Sequence, residues 1–126
     1  MASDFRRHLK ERVLIFDGAM GTSIQDRNLT PDDFDGKDGC NEVLVLTKPQ
    51  VIREIHAGFL DVGCDAVETD SFGASRLVLG EYGLAEQANS VLDGSRRATR
   101  SALTRTAGRA PRRLRPGTRR RQRRLG

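Results

Sequence analysis

The chain has 126 residues, 37% hydrophobic and 31% charged, which is enough for one ordinary domain and within the range of soluble proteins. No run approaches the ~20 apolar residues that span a bilayer, and the N-terminal stretch Met1-Ala2-Ser3-Asp4-Phe5-Arg6-Arg7-His8 lacks a long apolar segment of the secretory kind, so a cytoplasmic protein with no membrane partner is expected. The net charge of +5 hides a split, because residues 94–126 hold 13 arginines and no acid, leaving nine basic against 17 acidic residues in 1–93.

All six aromatics (Phe5, Phe16, Phe34, Phe59, Phe72 and Tyr82) lie before residue 94, so the packed core is expected there, with little from the tail. Cys40 and Cys64 have no CxxC spacing and no nearby histidine at metal-ligand spacing. Structural zinc takes four ligands and catalytic zinc three; the two cysteines are read as free thiols of a reducing compartment.

In chain order, Ser3 or Asp4 caps a short charged helix through Arg12, which carries a solvated His8. Val13-Leu14-Ile15-Phe16 then runs without alternation into Asp17-Gly18-Ala19-Met20-Gly21-Thr22, the pattern of a strand buried on both faces. Its end presents one carboxylate and N–H groups that glycine leaves open, a combination suited to a small zwitterion or anion. Residues 23–42, rich in Asp, Gly and Asn, read as a long irregular loop.

Residues 44–46 read as a short extended or 3₁₀ piece, and Thr47 as the cap of a helix with Pro49 in its first turn. Val51, Ile55, Phe59 and Val62 form its apolar stripe, widened by Ile52 and Leu60; His56 flanks that stripe, and Gly63 supplies a left-handed stop. A second strand at 65–69 enters another polar loop, Asp70-Ser71-Phe72-Gly73-Ala74-Ser75. Residues 76–79 open a covering helix, and Leu84, Ala88, Val91 and Leu92 mark an amphipathic one that fades near Asp93. Strand, helix, strand implies parallel strands and a right-handed crossover, so Asp17 and Thr69 emerge on the same sheet edge.

Four pieces carry a family resemblance: Phe16-Asp17-Gly18-Ala19-Met20-Gly21-Thr22; Gly39-Cys40-Asn41-Glu42; the helix from Lys48-Pro49 to Gly63; and Glu68-Thr69-Asp70-Ser71-Phe72-Gly73-Ala74. Together they resemble the homocysteine S-methyltransferase domain, closest to the amino-terminal module of the cobalamin-dependent methionine synthases, over about residues 10–93. The resemblance implies an α/β fold, the first two strand-helix units of a (β/α)₈ TIM barrel, with the site at the C-terminal strand ends. It implies that Asp17 holds the amino group of homocysteine, and that Gly18, Ala19 and Thr69 receive its carboxylate. The family's usual Thr-Asn-Thr-Phe reads Thr69-Asp70-Ser71-Phe72 here, and Asp70 is expected to point away from the site.

The implied reaction is methyl transfer to the homocysteine thiol, giving methionine. In the family, zinc held by three cysteines of later strands activates the sulfur, with cobalamin and methyltetrahydrofolate as the donor system. Those strands are absent, neither Cys40 nor Cys64 inherits the zinc role, and the chain alone is expected to be inactive and poorly folded or aggregating. An apolar strand ending in Asp also suits phosphatases of the haloacid dehalogenase type, but their second aspartate is replaced by Ala19. A P-loop would need Gly-Lys-Ser/Thr.

The chain is therefore read as a partial homocysteine-binding barrel at 1–93 followed by a disordered basic tail at 94–126, and two readings of that tail stay open. Residues 94–126 contain no lysine, and Arg, Ala, Gly, Pro, Ser, Thr, Leu and Gln are what GC-rich codons give in a shifted reading frame. The alternative is a disordered basic arm that binds nucleic acid nonspecifically.

Overall fold

The computed structural model describes residues 2–107, with the side chains of residues 2–4 left aside. Six helices follow in order: α1 (Ala2–Glu11), α2 (Met20–Gln25), α3 (Leu44–Thr47), α4 (Pro49–Asp61), α5 (Arg76–Gly80) and α6 (Ala88–Ala107). Short 3₁₀ turns stand at Pro31–Phe34, Asn41–Val43 and Ala85–Gln87. No described helix is long and apolar enough to cross a membrane.

The two segments expected as strands meet in one isolated parallel bridge, Phe16 with Ala66. Three backbone bonds hold it: Asp17 N–H to Ala66 O (3.1 Å), and Asp65 and Ala66 N–H to Ile15 O (2.8 and 3.3 Å). A fork from Arg12 to both oxygens of Asp65 (2.9 and 2.6 Å), and Ile15 N–H to the same carboxylate (3.0 Å), fix the register from the α1 side. The apolar run itself stays open. Val13 is 85% exposed, and Ile15 and Phe16 are also exposed, so the double-sided burial expected of this segment is corrected among the described residues. A strand becomes buried only when neighbours cover both its faces and its edges, and here it has one neighbour on one side.

The core is helical and aliphatic. Ile24 of α2, Leu44 and Val45 of α3, Ile52 and Ile55 of α4, and Leu79, Leu84 and Val91 further on form one buried cluster. Phe34, Phe59 and Tyr82 pack only at its margin, and Phe5, Phe16 and Phe72 are exposed, so the aromatics do not centre the core. Thr47 closes α3, its hydroxyl donating to Val43 O (3.3 Å), and does not cap α4, whose first turn holds Pro49 as expected. Gly63 follows α4 with φ of 104°, the left-handed stop read from sequence.

The largest correction concerns α6. The helix expected to fade near Asp93 continues to Ala107, so residues 94–107, assigned above to a disordered tail, are helical. Ala88, Val91, Gly94, Ser95, Ala98, Thr99 and Ala102 are buried along one face at three- and four-residue spacing, while Arg96, Arg97, Arg100 and Arg105 face outward. The face is built of small residues, which let α6 approach α3 and α4 closely. A Cβ added to Gly94 would stand 2.9 Å from Val45 Cγ2. Residues 108–126, the remainder of the expected tail, lie outside the described residues.

Candidate functional site

The Asp17 loop is shorter than the sequence implied. After Phe16 only Asp17, Gly18 and Ala19 precede α2, and Ala19 takes the N-cap place in the left-handed region, φ 51°. That conformation is uncommon for a residue with a Cβ. It turns the chain sharply enough that a helix, rather than the expected irregular loop, begins at Met20. Gly18 and Ala19 are both exposed at this turn.

Asp17 itself points inward, its side chain 5% exposed. One carboxylate oxygen, Oδ1, accepts the backbone N–H of Glu68 at 2.9 Å. This bond joins the two loops, because Thr69 is the next residue. Thr69 is exposed, and its hydroxyl lies 2.7 Å from that of Ser71. Asp17, Gly18, Ala19 and Thr69 therefore gather at one end of the Phe16–Ala66 bridge.

The motif at 39–42 joins from the other side. Glu42 Oε1 accepts the N–H of Gly73 at 2.7 Å, and a Cβ at Gly73 would lie 2.6 Å from that oxygen. A side chain there would displace the Glu42 carboxylate from the Gly73 N–H, which gives Gly73 a packing reason independent of any ligand. Sequence reasoning placed Glu42 in a motif without a role; the role is to tie the two loops.

Asp70 does not turn out to solvent. It is buried, its backbone carbonyl accepts the Ser95 hydroxyl of α6 at 2.6 Å, and its Oδ2 has no hydrogen-bond partner among the described residues. Burial, with the Glu42 charge adding to it, pushes the Asp70 carboxyl up to about 6.

His56 lies behind Asp17, fully buried, with Nδ1 3.8 Å from Asp17 Oδ2 and Nε2 3.2 Å from the Thr99 hydroxyl. Burial lowers its pKa below the ordinary histidine value, against an opposing pull from Asp17. His56 was not legible as part of the site, because its partners lie 39 residues before and 43 after it.

Burial raises the Cys40 pKa; burial, then the charges of Asp17 and Asp65, raises that of Cys64. The Cys64 thiol points to Phe16 O at 3.7 Å. Among the described residues no group of three His, Cys, Asp or Glu side chains could hold a metal ion.

The family model for homocysteine S-methyltransferase matches residues 14–114, most of the chain. The chain belongs to the homocysteine S-methyltransferase family. It is 44% identical over 97 residues to a methionine synthase of Mycobacterium leprae, covering 77% of this chain and 8% of that protein. A methionine synthase of Mycobacterium tuberculosis is 48% identical over 79 residues, covering 63% of this chain and 7% of its own length. The chain thus spans less than a tenth of the relatives it matches. The family match passes Asp93 and Gly94, as α6 does, so the homocysteine S-methyltransferase pattern extends into the arginine-rich stretch.

Proposed function

We propose that this chain carries the homocysteine-recognition edge of a methionine synthase, the part that holds the amino acid while a methyl group is transferred to its thiol. The observation that carries the reading is the Asp17–Glu68 bond, which brings the acid of one loop beside Thr69 of the other. A carboxylate attracts the substrate ammonium, and the N–H groups of the exposed Gly18-Ala19 turn, with the Thr69 hydroxyl, attract its carboxylate. Zinc and cobalamin belong in this proposal to the full-length family. Among the described residues no third ligand joins Cys40 or Cys64 in a zinc site, so this proposal assigns to the chain recognition and not activation of the sulfur. The purified chain is therefore expected to bind homocysteine without turning it over.

Titration with homocysteine, followed by amide shifts of Gly18, Ala19 and Thr69, tests the proposal. Binding that disappears in Asp17→Ala and with the deaminated thiol acid supports it. Equal binding by Asp17→Ala would overturn it, and methionine formed by the chain with methyltetrahydrofolate and cobalamin would overturn the expected inactivity.

A second reading, nonspecific nucleic-acid binding, is favoured by one observation. Arg97, Arg100, Ser101, Thr104 and Arg105 line an open groove of about 490 Å³ on α6, which adjoins a groove of about 370 Å³ holding Arg53 and Arg97. Phosphate contacts of this kind are strongly salt-dependent. Single-stranded RNA that binds the chain equally at low and high salt would count against the reading.

A further inference from the structure

Neutral histidine carries one ring proton, and its place follows from what faces each nitrogen. His56 is fully buried and neutral by the direction of its shift, so two arrangements are open to it. In one, Nε2–H donates to Thr99 Oγ1 while the Thr99 hydroxyl donates to Ser95 O, 3.0 Å away. Nδ1 then turns a bare lone pair toward the Asp17 carboxylate, 3.8 Å off, with no other hydrogen-bond partner among the described residues. Two electron-rich atoms would face each other away from water, where such repulsion is screened least.

In the other arrangement the Thr99 hydroxyl swings to donate to Nε2, and Nδ1–H points at Asp17 Oδ2. The loss is small, because Ser95 O belongs to the hydrogen-bond ladder of α6. At 3.8 Å the contact is a charge–dipole attraction rather than a hydrogen bond.

We propose that His56, with its proton on Nδ1 and Thr99 donating to Nε2, is a positioning residue for the Asp17 carboxylate, so that α6 helps to aim the group that takes the substrate amine. The aim is set from both sides: Glu68 N–H fixes Oδ1 from the neighbouring loop, and the His56 ring steadies Oδ2 from the interior. The functional meaning rests on Asp17 being the amine-binding group. The proton placement stands by itself.

Nitrogen-15 correlation spectra of the histidine rings in the full chain, recorded without ligand above the titration range of imidazole, test it. The only other histidine, His8, is an internal reference on an exposed helix. His56 is expected to show a pyrrole-type Nδ1 and a pyridine-type Nε2, and Asp17→Asn, whose amide can donate toward Nδ1, is expected to reverse that order. A pyrrole-type Nε2 in the wild-type chain would overturn the proposal, as would an unchanged ring in a folded Asp17→Asn variant. Because no ligand enters the measurement, its failure is separate from a failure of homocysteine to bind.

Discussion

The helical layer and the bridged segments below it are built on opposite principles. In α3, α4 and α6 nearly every inward residue is buried, down to Gly94, Ala98 and Ala102, and stability comes from apolar area removed from water. The segments around Phe16 and Ala66 share one bridge and leave Val13, Ile15 and Phe16 exposed, and Phe72 beyond them fully so. The candidate site grows from this second region but leans on the first: Asp17 backs onto His56 of α4, and Asp70 onto Ser95 of α6. A loosely paired edge can therefore hold defined side-chain geometry when a packed layer stands behind it.

The contrast can be broken by substitution, and the largest effect is expected in the layer. Ile52→Ala should cost about 2–5 kcal/mol of unfolding free energy, because it empties a fully buried site. Val13→Ala on the open segment should change it by less than about 0.5 kcal/mol. Chemical denaturation of both variants checks the pair, and equal losses would mean that the open segment is covered in solution.

Next comes Asp70. Its folded-state pKa of about 6 lies above the ordinary carboxylate value, so the folded chain keeps a proton that the unfolded chain releases first. Stability from this group is full below about pH 4, falls as pH rises to about 6, and is flat above; the loss is up to roughly 3 kcal/mol. Asp70→Asn should stabilise the chain at neutral pH and remove that slope. Unfolding curves at several pH values measure both.

A smaller loss is expected from Gly94→Ala. Alanine favours the helix by about 1 kcal/mol, but its Cβ would press on the stiff Val45 side chain and within 3.2 Å of Val45 O. Overpacking of this kind costs about 1–3 kcal/mol, so a net destabilisation near 1 kcal/mol should appear as a lower midpoint. A raised midpoint would show that α6 stands further from α3.

Much of this was legible in the residues. The α4 stripe at Val51 and Ile55, Pro49 in its first turn and the Gly63 stop follow from period and turn chemistry, and the nearness of Asp17 to Thr69 from the expected crossover; Val62, read as part of the stripe, lies past the end of α4 and is exposed. The continuation of α6 was not, because its inner face from Gly94 onward uses Gly, Ser, Ala and Thr, which carry little hydrophobic signal among arginines. The spacing of those small residues at 94, 95, 98, 99 and 102 was the signal available. The helix α2 was hidden by a left-handed alanine at 19 where glycine would be looked for, and the burial of Asp70 by contacts with residues far along the chain.

The central claim is that a packed layer reaching through α6 supports a thinly paired edge, and residue-resolved hydrogen exchange tests it most directly. Amides of α4, and of α6 as far as Ala102, should exchange only through global opening, while those of residues 13–16 exchange orders of magnitude faster. Protection that ends at Asp93, or that is uniform across layer and edge, would contradict the account.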